Sequence, residues 1–460
     1  MSKTTPPLRG TPPREGNPAP NSPPLEGWQA KPDGVVPVLR FPEFRDTEEW
    51  ARKPFEEAFK RLTTKNSEDN QNALTISAQL GLVSQLEYFN KKVAAKDLSG
   101  YYLLHKGDFA YNKSYSQGYP MGAIKPLKLY DKGVVSTLYI CFRARQEFNE
   151  SFFEHYFEAG LLNSEIGKIA QEGGRAHGLL NVSVSEFFTD VNLHVPQPEE
   201  QQKIADCLTS IDELIAAQTQ KLGALRTHKR GLMQQLFPAE GETVPKLRFS
   251  EFRDTGEWEE CELGPLTTKV GSGITPTGGD KNYKTEGRPF VRSQNVGWGE
   301  LLLGDVAFID EETHQSFNST EIKVSDVLLN ITGASIGRSA VADSRIAGGN
   351  VNQHVCIIRA KQDELHPALL NHFLISEHGQ KQIDSFQAGG NRQGLNFAQI
   401  RSFNVPLPPT EKEQHRVADC LTFPDELVTA QTQKLDALKA HKKGLMQQLF
   451  PSVGGVAGEA

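Results

Sequence analysis

Two stretches of the chain carry apolar residues at a repeated four-three spacing. In the first, the steps visit Ile204, Leu208, Ile211, Ile215, Gln218, Leu222, Leu225, Lys229, Leu232 and Leu236. In the second they visit Val417, Leu421, Pro424, Val428, Gln431, Leu435, Leu438, Lys442, Leu445 and Leu449. This spacing keeps one stripe of a helix apolar over several heptads, so it predicts two long helices whose apolar members form a coiled-coil interface. Residues 204–236 would extend roughly 50 Å at 1.5 Å per residue. The polar breaks coincide, Gln218 with Gln431 and Lys229 with Lys442, and matched polar residues in a seam fix register at some cost in stability. Pro424 has no amide hydrogen, which predicts a kink or a late start in the second helix.

Each helical stretch follows a proline-marked hinge, at Val195-Pro-Gln-Pro198 and Val405-Pro-Leu-Pro-Pro409. Ahead of each hinge lies a body, 51–195 and 259–405, in which short β-rich runs alternate with Gly- and Asp-bearing turns and helical patches. The runs at 133–142 and 351–358 read as strands. The patches at 150–159 and 367–376 read as helices.

The edges of the two bodies repeat. Val36 to Trp50 reads VPVLRFPEFRDTEEW and Val244 to Trp258 reads VPKLRFSEFRDTGEW, twelve matches in fifteen at an offset of 208. Residues 217–238 and 430–451 match at eighteen of twenty-two positions at an offset of 213. A period near 210 residues is far too long for a solenoid, so a whole module is duplicated. The bodies diverge, but Asp108 and Asp326 sit in similar contexts. So do the endings Cys141-Phe-Arg-Ala144 and Cys356-Ile-Ile-Arg-Ala360, and Leu180-Asn181 and Leu395-Asn396.

The expected organisation is a disordered proline-rich tail at 1–35, a first domain at 36–195, a first helix at 196–238, a second domain at 239–405, a second helix at 406–451 and a flexible tail at 452–460. Ten of the 27 prolines fall in the first 37 residues, a composition that buries too little apolar surface to order itself.

Composition narrows the function by exclusion. A formal net charge of −7 rules out a bulk polycation, but not a local basic groove. Five dispersed cysteines with no CxxC pair argue against a zinc ribbon or a disulfide scaffold, and fit a reducing cytoplasm. No apolar run is long enough to span a membrane. There is no GxxxxGK[ST] loop and no HExxH pair, and the Gly333-Ala-Ser-Ile-Gly337 stretch only superficially resembles part of the former. No catalytic or metal-binding residues are therefore assigned. A reader or scaffold is expected, with an adaptor carrying two protein- or glycan-binding domains as the alternative. An enzyme with an unrecognised site in a body cleft stays open too.

The order of variable body, proline hinge and repeated helix, twice over, resembles the specificity (S) subunit of type I restriction–modification systems. The stretches that carry the resemblance are Val36-Pro-Val-Leu-Arg-Phe41, the Glu200-Gln201 and Glu413-Gln414 pairs after the hinges, and the ending Lys229-Arg-Gly-Leu-Met-Gln-Gln-Leu-Phe237. Gly81-Leu-Val-Ser-Gln85 and Gly273-Ile-Thr-Pro276 add to it. The resemblance implies an α+β fold: two similar target recognition domains joined by two long antiparallel coiled-coil helices, in pseudo-twofold halves. It implies a non-catalytic subunit that binds double-stranded DNA, each domain reading half of a bipartite asymmetric site and the helices setting the spacer. It also implies two methyltransferase (M) and two restriction (R) subunits as partners, with S-adenosylmethionine, ATP and Mg on those partners and no cofactor here.

Base edges and phosphates are contacted by Arg, Lys, Asn, Gln and hydroxyl side chains on loops. In the first body these are Gln79, Ser84, Gln85, Asn112, Lys113, Ser114, Tyr115, Ser116, Tyr119, Arg175 and His177. In the second they are Thr275, Thr277, Arg292, Ser293, Gln294, Asn295, Thr332, Ser335, Arg338 and Arg392.

Overall fold

The computed structural model describes residues 35–91, 93–170, 180–276, 279, 283–387 and 394–452. The expectations for the proline-rich tail before residue 35, for the last eight residues, and for Arg175, His177, Thr277 and Arg392 lie outside the described residues. The chain divides into two compact units. One comprises the chain up to Leu208 together with Leu445 onwards, and the other is Thr209–Gly444.

In the first unit an antiparallel four-stranded sheet runs in the order Phe59–Leu62, Ile140–Ala144, Phe109–Asn112, Ala123–Pro126. A separate pair, Ala51–Pro54 with Asn192–Val195, joins the body's first strand to its last. One sheet face packs on an aromatic core that includes Phe55, Phe59, Phe109, Phe142 and Phe157. The hairpin Leu74–Ser77 and Gly81–Ser84 covers a second cluster with Ala110 and Cys141.

The second unit repeats the plan. Its sheet runs Thr267–Ser272, Val355–Ala360, Val327–Asn330, Ser339–Val341, again all antiparallel. Glu259–Glu262 pairs with Asn404–Leu407, as the edge strands of the first body do. The duplication is therefore one of topology as well as sequence.

The echoes inside the bodies are structural. Asp108 is buried and accepts two hydrogen bonds from the Arg143 guanidinium at 2.5 and 2.9 Å. Asp326 does the same with Arg359 at 2.7 Å twice. Just before each aspartate the backbone turns left-handed, at Gly107 (φ 90°) and Ser325 (φ 72°). This register makes Arg143 equivalent to Arg359. Cys141 and Cys356, which parallel each other in sequence, are therefore one position out of step: Ile140, opposite Tyr111, stands where Cys356 stands opposite Leu329.

The repeated edges form a clasp. Arg40 donates to both carboxylate oxygens of Glu200 at 2.8 and 2.7 Å, and Trp50 Nε1 donates to Glu200 at 3.4 Å. Arg248 donates to Glu413 at 2.7 and 2.8 Å, with Trp258 Nε1 at 3.2 Å. Thr47 and Thr255 hydroxyls complete the two sets at 2.8 and 2.9 Å. The motif Leu-Arg-Phe…Thr…Trp thus fastens the start of each body to the first turns of its helix.

The long helices span Pro198–Leu236 and Glu411–Leu449, 39 residues each. Pro424 lies inside the second helix, which begins at Glu411, so the expected late start does not occur. In the second unit the helices run antiparallel: Gln218 Nε2 donates to Gln431 Oε1 at 2.6 Å, Lys229 meets Asp425 at 2.5 Å, and Lys442 meets Asp212 at 2.6 Å. The two ion pairs are images of each other, because Lys442 and Asp425 are the repeat equivalents of Lys229 and Asp212. The direct apolar seam is shorter than the heptads suggest. Leu222, Val428 and Leu435 form it with Ile215 and Leu225. Ile204, Leu208, Leu445 and Leu449 instead enter the core of the first unit. Leu232, Leu236, Val417 and Leu421 enter that of the second. The stripe is continuous because a helix end buried in a body needs the same periodicity as a seam.

Beside Lys229 and Asp425 lies buried His372, its Nδ1 3.9 Å from Asp425. Burial, and after it the Lys229 charge and His366, pushes His372 from 6.5 down to about 3. The ring is therefore neutral in the fold. Its contribution to stability is complete above about pH 6.5 and is lost as the pH falls towards 3. A His372→Gln variant is expected to lose less stability than the parent between pH 7 and pH 4.5. Urea midpoints at both pH values measure this, and equal acid losses in the two proteins would contradict it.

Candidate nucleic-acid interface

In both bodies loops converge at one end of the four-stranded sheet. In the first, Asn112 ends its strand and its Oδ1 accepts the Ser114 amide at 3.1 Å, starting a loop. The Lys113 carbonyl then accepts the Leu180 amide at 2.9 Å. The loop closes through a tight Ser116–Tyr119 turn. The side chains of Lys113, Ser114, Tyr115 and Ser116 hold no hydrogen bond among the described residues, and Tyr115 is 64% exposed. A shallow cleft of about 140 Å³ brings Lys113 together with Arg61, Tyr102, Thr137 and Leu138.

In the second body the equivalent bond joins the Ile331 carbonyl to the Leu395 amide at 2.9 Å. The Gly333–Ser335 turn follows, and Arg338 donates its amide to the Ser335 carbonyl at 3.2 Å. The segment carrying Thr275 starts at Gly273, where a Cβ would lie 1.6 Å from the Val351 carbonyl oxygen, so only glycine lets these two backbones meet. The Arg292 turn joins the same end, since Asn352 donates its amide to the Val291 carbonyl at 3.0 Å and Asn330 Nδ2 donates to the Ser293 carbonyl at 2.8 Å. Thr275, Ser335 and Arg338 side chains hold no hydrogen bond among the described residues.

Several of the expected contact residues also hold internal hydrogen bonds, and one of them is buried. Asn295 is fully buried: it accepts the Arg292 amide at 3.0 Å and donates to the Leu302 carbonyl and Asp305. Arg292 lies over the Tyr283 ring and donates to the Asp305 carbonyl at 2.5 Å, and Gln294 binds the Asp305 carboxylate. These three build a loop around Asp305, whose charge offsets that of Arg292. Gln85 Nε2 donates to the Leu74 carbonyl and its Oε1 is buried, so it pins the hairpin. The Tyr119 hydroxyl is held at 2.5 Å by Glu158 and at 3.0 Å by Lys125. Burial first, and then Glu158, raises its pKa above the ordinary range. Gln79 and Ser84 stand on the hairpin that covers one sheet face.

Sequence reasoning missed a matched pair of turns at this end. Both β-rich runs read as continuous, yet each breaks. The Tyr139 amide bonds back to Ser136 at 3.1 Å, and the Val355 amide to Asn352 at 3.2 Å. The signal was the turn former: Ser136 Oγ accepts the Leu138 amide and Asn352 Oδ1 the His354 amide, at 3.3 and 3.0 Å, as Ser and Asn do in such turns. Thr137-Leu138 in one body thus stands where Gln353-His354 stands in the other.

Comparison with known proteins agrees with this architecture. Residues 255–440 match the family model described as the type I restriction modification DNA specificity domain. The type I restriction enzyme MjaVIII specificity subunit of Methanocaldococcus jannaschii is 23% identical over 276 residues, covering 58% of this chain and 62% of that protein. A putative type I restriction enzyme MjaX specificity subunit from the same organism is 23% identical over 265 residues, covering 56% and 59%. The matches thus span about three fifths of the length of these curated relatives. The crystal structure of a type I restriction–modification system S subunit from M. genitalium aligns with a TM-score of 0.59 at 14% identity, covering 91% of this chain and all of that one. The chain has the S-subunit fold. In sequence and fold together it is similar to type I specificity subunits.

Among the described residues no helix is long and apolar enough to cross a membrane, and no group of three or more His, Cys, Asp or Glu is placed to hold a metal ion.

Proposed function

We propose that this chain is the non-catalytic DNA sequence-specificity subunit of a type I restriction–modification complex in the cytoplasm. Each body reads one half of an asymmetric bipartite site, and the helices set the spacer and dock methyltransferase subunits. The assembly contains two M and two R subunits, which hold S-adenosylmethionine, ATP and Mg. The observation that carries the reading is the pair of equivalent sheet ends, alike in scaffold and unlike in tip chemistry. Direct readout needs such a platform, because base edges are distinguished by the donors, acceptors and apolar groups presented to them. The matched proteins favour this over a protein- or glycan-binding adaptor, since those named are specificity subunits.

A purified complex of this chain with its M partner is expected to methylate adenine in one sequence context, and equal methylation of all contexts would contradict the proposal. Spacer length is tested separately. The paired contacts Lys229–Asp425 and Lys442–Asp212 flank Gln218–Gln431, so lengthening one helix alone would break one flank. Seven residues inserted after Gln218 and seven after Gln431 are expected to change the preferred spacer and leave both half-sites intact. Altered half-site sequences would contradict the spacer role.

A further inference from the structure

We infer that Gln353 is a specificity-determining residue of the second body, reading an adenine, with His354 and Thr332 as its positioning residues. The inference rests on the DNA-reading function proposed above.

Gln353 is exposed at the tip of a turn braced from three directions. The preceding Asn352 carbonyl accepts the Gly273 amide at 3.3 Å, the Asn352 amide bonds the Val291 carbonyl at 3.0 Å, and the following His354 carbonyl accepts the Ile331 amide at 3.0 Å. The tip is therefore fixed by the loops on which Thr275, Arg292 and Thr332 sit.

The side chain is held as well. Gln353 Nε2 lies 3.3 Å from His354 Nε2, and His354 Nδ1 lies 2.5 Å from Thr332 Oγ1. With the imidazole proton on Nδ1, the relay runs in one sense: the Gln353 amide donates to Nε2, and Nδ1–H donates to the Thr332 hydroxyl oxygen. Neither the second amide hydrogen of Gln353 nor its carbonyl oxygen has a partner among the described residues, and the side chain is exposed. A donor beside an acceptor complements N7 and N6 of adenine in the major groove, the usual bidentate pairing of glutamine. Holding the amide beforehand reduces the rotamer freedom lost on binding.

The equivalent turn of the first body carries Thr137 and Leu138, the latter 71% exposed. Thr137, which stands where Gln353 stands, has a single hydroxyl and cannot make that bidentate contact, and the exposed Leu138 beside it suits a thymine methyl instead. One turn on one scaffold thus presents different chemistry in the two bodies, as an asymmetric site requires.

The test is single-molecule sequencing of methylated adenines in cells carrying the full chain and its M partner, as wild type and as Gln353→Ala, Thr332→Val and Thr332→Ser. In Gln353→Ala one adenine position of one half-site should relax, with about tenfold or greater loss of discrimination. The other half-site and the spacer should stay unchanged. Thr332→Val should relax the same position, and Thr332→Ser, which keeps the hydroxyl, should match the wild type. An unchanged consensus in Gln353→Ala would overturn the inference. So would loss of all methylation by a folded Gln353→Ala chain, or identical behaviour of the two Thr332 variants. A wild-type chain that yields no gene-dependent motif would instead overturn the DNA-reading function itself.

Discussion

Exchanging Glu413 for alanine is expected to cost about 3–5 kcal/mol of stability, because it leaves a buried guanidinium without its counter-ion. The Arg248 side chain is 7% exposed and that of Glu413 1%. The carboxylate accepts from Arg248 twice and from Trp258 once. The Glu413 hydrogen bond raises the Arg248 pKa further, so the arginine cannot escape by losing its proton. Glu413→Gln keeps two acceptor lone pairs and should lie between the parent and Glu413→Ala. Urea unfolding followed by tryptophan fluorescence measures the difference, and a loss below about 1 kcal/mol, the scale of an exposed pair, would show that the clasp does not close. Glu200 and Arg40 predict the same for the first unit, where the side chains are 1% and 5% exposed.

A half-chain of residues 239–452 is expected to form a homodimer. The seam is self-complementary: Gln218 faces its own repeat equivalent Gln431, and each Lys–Asp pair joins residues that one helix carries by itself. Two copies of the second helix would place Gln431 opposite Gln431 and form Lys442–Asp425 twice. Val428 and Leu435 would replace Ile215 and Leu222 in the apolar seam. The helix end fits too. Leu236 and Phe237 pack against the second body, with Phe237 6.2 Å from Trp258. Their equivalents Leu449 and Phe450 have identical side chains and already fill a like site in the first unit, 6.2 Å from Trp50. Sedimentation equilibrium should give twice the half-chain mass at micromolar concentration, whereas a monomer would contradict the symmetry argument.

The same residues explain what was legible in the sequence. Residues 36–50 and 244–258 match because an Arg–Glu–Trp clasp tolerates little change, and such matches survive in plain text. Helical periodicity was legible for the same reason. It could not say where the seam ends, since Ile204 in a body core and Leu222 in the seam obey one spacing. The breaks at 136–139 and 352–355 were hidden because β-branched and aromatic residues surround them and the turn hydrogen bonds come from single side chains. Residue type likewise gave no warning that Asn295 is buried or that Asp305 occupies Arg292 and Gln294. Pro424 predicts a kink or a late start, and that the helix begins ahead of it at Glu411 cannot be read from the proline alone.

In the proposed function two unlike reading ends serve one DNA site. Sequencing methylated adenines in cells with and without this gene tests that directly. It should reveal a methylated motif that depends on the gene and consists of two different half-sequences separated by a fixed unread gap. A motif with identical inverted halves, or an unchanged methylation pattern in cells whose M partner is active, would contradict it.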